Sequence, residues 1–271
     1  MIYRWLPVPA LVLLAVAYLA PLGQVLLLSV TDPQPGLGNY ALLATSPSIA
    51  RVLGTTARIC AVTTALAVVL GYVVAYAMVQ AGPRQRRVML ACVLLPLWVS
   101  VLARAFAWVT LLRREGVVNP WLQAAGLTDH PLALMWNEFG VCVGMLHYML
   151  PFAILPMLSH MRGLDPSLMP AARGMGASRA QAFGRVFLPL SLPGAAGAGV
   201  LVLILSVGFY VTPVLLGGGR VMMVAEYISL QIQEMLRWGV GAMLAATLVA
   251  VIALVLALSR LGGLRALAAS R

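Results

Sequence analysis

Six long apolar stretches dominate the sequence and restrict the folds that are open to it. About 20 consecutive apolar residues are enough to cross the hydrocarbon core of a bilayer as an α-helix. The stretches lie at about 8–30, 57–79, 88–112, 139–161, 191–215 and 238–259. Strands of a membrane β-barrel would instead be short and would alternate between apolar and polar residues. The sequence therefore predicts an all-α polytopic membrane protein with six transmembrane helices.

Charged residues make up only 9% of the chain, whereas 62% of the residues are hydrophobic. All 18 basic residues are arginines, and the sequence contains no lysine. A phosphate-binding loop of the Walker type requires a lysine, and so does Schiff-base chemistry. We therefore expect no ATP hydrolysis or pyridoxal chemistry in this chain. The three histidines and three cysteines show no metal-ligand spacing, so no metal site is predicted.

The distribution of arginines predicts the orientation, because cytoplasmic segments carry an excess of basic residues. With the N-terminus inside, the inner segments hold one acid, Asp165, against 11 arginines: Arg4, Arg84, Arg86, Arg87, Arg162, Arg173, Arg179, Arg185, Arg260, Arg265 and Arg271. The remaining acids then lie on the outer side: Asp32, Glu115, Asp129, Glu138, Glu226 and Glu234. Both termini are predicted to be cytoplasmic.

The inner loop between the fourth and fifth spans, residues 162–190, is long enough to contain two short helices. Asp165 is suited to cap the first helix, with Pro166 at its first position. That helix is expected to end near Gly174 or Gly176, where a glycine tolerates positive φ.

Ser178 begins the second short helix, and Gln181, three residues later, completes a capping box. One face of this helix is apolar: Ala182, Phe183, Val186 and Phe187. Two capped amphipathic helices are suited either to a groove on a partner protein or to an anionic membrane surface. The residues alone do not separate these two interpretations.

The loop resembles binding-protein-dependent ABC transporter permeases, whose pattern is E-A-A-x3-G-x9-I-x-L-P. This chain has Pro170-Ala171-Ala172, then Gly176 after three residues, then Val186-Phe187-Leu188-Pro189 after nine. Both spacings agree with the pattern. Val186 is a mild departure from Ile, whereas Pro170 replaces the acid and removes a helical N–H.

The resemblance extends over nearly the whole chain, and several segments look like permeases of the polyamine class: 70–78, 94–112, 116–122, 150–157 and 208–218. It implies a type I ABC importer permease fold in a bacterial inner membrane. Residues 1–50 would hold the first span and an outer loop, 51–260 the ABC transmembrane type-1 domain, and 261–271 a cytoplasmic tail.

The resemblance also implies partners and a mechanism. The permease would pair with a second permease, most simply a different chain, and dock onto a dimer of ATPase subunits that holds ATP and Mg²⁺. An extracytoplasmic binding protein would deliver the substrate, and the pathway would open alternately to each side. No cofactor is expected on this chain. The residues expected to couple to the ATPase are Pro170, Ala171, Ala172, Arg173, Gly176, Ala177, Ser178, Arg179, Leu188 and Pro189.

Candidates for the substrate pathway are Ser100, Arg104, Trp108, Tyr210 and Thr212. The first three share one helix face, and Arg104 and Trp108 are spaced to form a cation–π pair. An arginine within a span either faces a cavity or serves packing and snorkelling. No acid lies deep in a span, so both a polyamine and an anionic solute such as a phosphonate remain open as substrates.

The alternative function is an ATP-independent secondary transporter or channel. Such a protein is expected to show inverted repeats or charges at the midplane of the membrane. The sequence shows no clear repeat, and this alternative leaves the two capped inner helices unexplained.

Overall fold

The computed structural model describes residues 7–269, with side chains through residue 261. Its elements are α1 (Val8–Thr31), α2 (Gly38–Thr45), α3 (Pro47–Gln80), α4 (Pro83–Trp98), α5 (Val101–Leu112), α6 (Val118–Ala124), α7 (Glu138–Arg162), α8 (Leu168–Gly174), α9 (Arg179–Ala182), a π turn (Phe183–Phe187), α10 (Leu188–Val207), α11 (Val211–Gly217), α12 (Val224–Gln233) and α13 (Trp238–Ala269). The described residues form no strand. The prediction of an all-α fold is confirmed.

Five helical segments are long and apolar enough to cross a membrane, and α4 with α5 gives a sixth if the pair is counted as one span. The prediction of a single uninterrupted helix over 88–112 is wrong. The helix breaks at Val99 and Ser100, where the chain bends by 100°. Pro96 precedes the break and removes one backbone donor, which weakens the last turn of α4.

The fifth span also differs from its expected bounds of 191–215. It begins earlier, because α9, the π turn and α10 form one apolar helical segment over Arg179–Val207. It ends earlier too, since α10 stops at Val207 and the separate α11 starts at Val211. Pro213 is accommodated in the first turn of α11, where its missing N–H costs no intrahelical bond.

The last helix continues well past the predicted end of the sixth span at 259. α13 extends through Ala269, so most of the expected tail, residues 261–271, is helical. The helix contains no proline, and it continues through Gly262 and Gly263, the glycine pair that could have ended it. The predicted inner arginines Arg4 and Arg271 lie outside the described residues.

The chain divides into two compact units. The first comprises the described residues up to Gly54 together with Met223–Ala253. In this unit the Asp32 carboxylate accepts a hydrogen bond from the backbone N–H of Gly239 at 2.6 Å, at the start of α13. The buried amide of Asn39 donates to the carbonyls of Ser29 and Asp32. Asp32 therefore supplies a carboxylate to a helix N-terminus that is 207 residues away in sequence.

The second unit comprises Thr55–Met222 together with the described residues from Leu254 onward. α7 is its central helix and packs against α4, α5, α10 and α11. Fully buried methionines of α3 and α7 fill much of its core: Met78, Met149 and Met157. Small residues on α10, including Ala195 and Ala198, are buried against this core. Flexible thioether side chains suit such closely crossing helices, because they adapt to irregular gaps.

Candidate functional site

The loop between α7 and α10 begins with a tight turn. The Asp165 carboxylate accepts hydrogen bonds from the backbone N–H and the hydroxyl of Ser167, at 2.8 Å and 2.7 Å. These bonds lower the pKa of Asp165. Asp165 was expected to cap α8 directly, but the helix starts only at Leu168 and Ser167 occupies the cap position. The side chain prefers this local turn, which competes with helix capping.

The second predicted cap is confirmed. Ser178 Oγ accepts from the backbone N–H of Gln181 at 3.2 Å, and Gln181 Oε1 accepts from the backbone N–H of Ser178 at 2.9 Å. Gly176 has a φ of +93°, a conformation that L side chains rarely adopt. The expected positive φ after α8 is therefore at Gly176, and Gly174 remains within the helix. Local sequence was sufficient here because each partner lies within three residues.

The apolar face of the second short helix packs largely against other helices of its own unit. Phe183 and Phe187 contact Tyr76 of α3 edge to face, with ring centroids 5.0 Å and 5.1 Å apart. Ala182 is fully buried beneath them. The π turn carries Ala182 and Phe187 of this face into the core of the unit, whereas Phe183 and Val186 stay half-buried. The periodicity identified an apolar face but not the surface that covers it.

The exposed surface of the loop is instead formed by α8 and the turn that follows it. Met175 is 84% exposed, a large value for an apolar side chain. Ala171 and Arg173 are also exposed, whereas Ala172 is buried within the chain. Among the other predicted coupling residues, Pro170, Gly176, Ser178, Arg179 and Pro189 are exposed, and Ala177 and Leu188 are half-buried. Sequence reasoning missed Met175, which the spacing from Leu168 and Ala171 places on their helix face.

The second group of candidates lies around α5. The Arg104 guanidinium lies over the ring of Tyr148, 4.5 Å from its centroid, and not over Trp108 as expected. Trp108 Nε1 donates to His147 Nδ1 at 3.0 Å. His147 is therefore packed and hydrogen-bonded within the core of the unit. The Nε and Nη1 groups of Arg104 are buried and have no hydrogen-bond partner among the described residues.

The structure brings some of the pathway candidates together. Arg104, Trp108 and Thr212 line one small cavity with His147 and Tyr148. Ser100 lies at the break between α4 and α5 and is not among the residues that line this cavity. Tyr210 caps α11 and is 42% exposed. The cavity therefore joins three of the five predicted side chains.

Arg58 of α3 forms an ion pair with Glu138. Its Nε donates to Glu138 Oε2 at 2.9 Å, and its Nη2 donates to Glu138 Oε1. This two-pronged geometry links α3 to the first turn of α7. The two residues are 80 positions apart, and no local sequence pattern indicated that they would pair.

Glu226 is the outer acid with the most unusual surroundings. One carboxylate oxygen is buried without a hydrogen-bond partner. Burial raises the pKa of Glu226 above its ordinary value, and a hydrogen bond from the backbone N–H of Met223 offsets part of the effect. Glu226 is the third residue of α12, the position from which an acid reaches back to the cap.

We expect Glu226→Gln to raise the unfolding temperature by about 2 °C or more at pH 8. The pKa of Glu226 is higher in the folded state than in the unfolded state. The protonated carboxyl group therefore stabilises the folded state relative to the ionised carboxylate. This stabilisation is lost as the pH rises from the unfolded-state pKa, near 4.5, through the raised folded-state pKa. Above that pH it remains absent. Gln keeps the acceptor for Met223 but carries no charge. Thermal unfolding from pH 4 to 8 should show the advantage of Gln shrinking towards pH 4. Glu234→Gln, at an exposed acid after the same helix, should lack this trend; an equal response in both variants would contradict the assignment.

These features define a class of protein: a polytopic α-helical membrane protein with an exposed, capped helical loop at one end of its core. Residues 67–264 match the family of binding-protein-dependent transport system inner membrane components. The chain belongs to this family. It is a multi-pass permease subunit of an ABC importer in the inner membrane.

Two relatives are similar over most of their length. The spermidine/putrescine transport system permease protein PotB of Haemophilus influenzae is 32% identical over 218 residues, covering 80% of this chain and 76% of that protein. PotB of Escherichia coli K12 is 30% identical over 220 residues, covering 81% and 80%. A bacterial alginate ABC transporter, solved in complex with an alginate pentasaccharide-bound periplasmic protein, shares the fold. Its TM-score is 0.76 over 95% of this chain and 92% of that chain, at 18% identity.

Proposed function

We propose that this permease imports a polyamine of the spermidine/putrescine class and couples transport to a separate ATPase through residues 162–190. The observation that carries the coupling proposal is the exposed surface of α8 and its following turn. There an 84% exposed Met175 stands beside the positive-φ turn at Gly176. Met175 adjoins the exposed Leu168 and Ala171 on one face of the loop, and an exposed apolar patch of this kind is typical of a protein interaction site.

The proposed ATPase contact comprises the exposed members of the predicted set and Met175. Ala171 permits close approach of a partner helix, Met175 supplies adaptable apolar contact, and Arg173 and Arg179 supply charge. Ala172, Ala177 and Leu188 support this surface from below, because they are wholly or partly buried. Pro170 and Pro189 flank it. ATP and Mg²⁺ belong to the partner chain in this proposal.

The proposed orientation places this loop and both termini in the cytoplasm. It rests on the charges of the segments at that end of the spans, which carry many arginines and few acids. The second permease is proposed to be a different chain, and an extracytoplasmic binding protein is proposed to deliver the substrate. The domain bounds of 51–260 for the transmembrane type-1 domain and the alternating pathway belong to the same proposal.

The substrate class rests on the PotB relatives, and one observation favours a second candidate. A polyamine is cationic, whereas Arg104 presents two buried N–H groups without acceptors. Such donors suit an anionic solute, for example an organic phosphonate. In the polyamine proposal Arg104 serves packing through Tyr148, and Glu226, with an unpaired carboxylate oxygen, is the acid best suited to attract an ammonium group.

The assembled transporter, reconstituted with its own binding protein, distinguishes these substrates by stimulated ATP hydrolysis. We expect spermidine or putrescine to raise the rate several-fold, within the range of typical allosteric couplings. A phosphonate should leave it unchanged. Arg104→Gln should retain stimulation by the polyamine. Stimulation by the phosphonate alone, lost in Arg104→Gln, would overturn the polyamine proposal while leaving the permease assignment intact.

A further inference from the structure

A cavity of about 640 Å³ lies at the end of the second unit that carries the inner loop. It is bounded by the last turns of α3 and α7, by α8 and by the π turn. Its volume falls within the usual range for small-molecule sites, roughly 300–1,000 Å³. The proposed coupling contact shares Pro170, Arg173 and Arg179 with this lining, but it assigns no role to Arg162 or to the space between these residues.

Three arginines line the cavity: Arg162 at the end of α7, Arg173 on α8 and Arg179 at the start of α9. None of their guanidinium groups forms a hydrogen bond or ion pair to the residues that the structure describes. Asp165 is the single acid of the lining, and its Oδ1 already accepts two hydrogen bonds from Ser167. The lining therefore carries an excess of positive charge with unused donors.

Among the described residues, no other carboxylate lines the cavity to balance this charge. Pro170 also lines the cavity, and it stands where the family pattern has Glu. The lining also includes apolar side chains, among them Val79 of α3 and Leu190 of α10. A ligand that fits must therefore carry negative charge and tolerate apolar contact.

We propose that this cavity binds a phosphate group, held by Arg162, Arg173 and Arg179. Guanidinium groups match phosphate oxygens in charge and geometry. The cavity lies where the α3 and α7 spans end, which is the depth of lipid headgroups, and basic pockets between spans at that depth suit anionic lipids. The phosphate comes either from an anionic phospholipid or from the aqueous phase. The inference does not depend on the proposed substrate.

Binding to the full-length chain in detergent tests the proposal. Native mass spectrometry would follow titration with phosphatidylglycerol or, as a zwitterionic comparison, phosphatidylcholine, and calorimetry would follow inorganic phosphate. We expect one anionic ligand per chain. The double variant Arg162→Gln/Arg173→Gln should weaken it at least roughly tenfold, because it removes two of the three charged donors. Arg185→Gln is the matched control, because Arg185 is exposed in the same loop but does not line the cavity.

A second pair of variants adds charge instead of removing it. Pro170→Glu should weaken binding by placing a carboxylate at the lining, whereas Pro170→Gln should not. This pattern with phosphatidylglycerol identifies a lipid site, and the same pattern with inorganic phosphate alone identifies a soluble ligand. Absence of binding by both probes overturns the proposal. So does an equal loss in Arg185→Gln, which would indicate attraction to the loop as a whole.

Discussion

Adding one methyl group at Gly194 is expected to destabilise the helical core, whereas the same change at Gly197 is not. A Cβ at Gly194 would lie 2.6 Å from the Cβ, Cγ and Cδ2 atoms of His160, so α10 could not keep its approach to α7. A Cβ at Gly197 would meet no atom within 4 Å. Both changes remove a helical glycine, so the gain in helix propensity is similar.

The difference between Gly194→Ala and Gly197→Ala therefore isolates the close approach of the two helices. We expect about 1–3 kcal/mol lower stability for Gly194→Ala, the usual cost of overpacking a core. His160 cannot easily move aside, because its Nε2 is hydrogen-bonded to the carbonyl of Leu190 and its Cβ is fixed to the α7 backbone. Thermal unfolding in detergent, followed by loss of helical circular dichroism, measures both variants. Equal unfolding temperatures would show that α10 does not approach α7 this closely.

The second large effect is expected at Gly176, in function more than in stability. Its φ of +93° lies in the region that a Cβ disfavours, by about 1–2 kcal/mol per residue. Such strain lowers the equilibrium constant for the observed turn roughly tenfold. Gly176→Ala should therefore reduce substrate-stimulated ATP hydrolysis in the assembled transporter, by up to about tenfold.

Gly174→Ala is the matched control for this prediction. Gly174 lies two residues earlier, is also exposed and has no atom within 4 Å of an added Cβ, but its backbone is helical. We expect nearly unchanged stimulation in this variant and normal membrane insertion of both. Full stimulation in Gly176→Ala would show that the turn conformation does not matter for coupling. A loss in Gly174→Ala as well would assign the effect to side-chain volume at the interface.

Contacts within one helix or turn could be predicted from the sequence in some detail. The Ser178–Gln181 capping box and the positive φ at Gly176 depend on residues that are close along the chain. Even here, competition between local bonds limited the prediction. Asp165 bonds to Ser167 within a turn, and α8 starts two residues later than its proposed first position at Pro166. The spacing indicates which bonds are available, but not which one has the lower free energy.

The sequence by itself determined the membrane class, the helical spans and the separation of basic from acidic segments, since apolar length and charge are properties of the chain alone. Only the tertiary structure decided that α4 and α5 bend apart, that Phe183 and Phe187 cover Tyr76, and that Arg104 lies over Tyr148. These outcomes depend on where helices distant in sequence cross. The apolar periodicity of a helix defines a face to be covered, and the packing of the whole core selects what covers it.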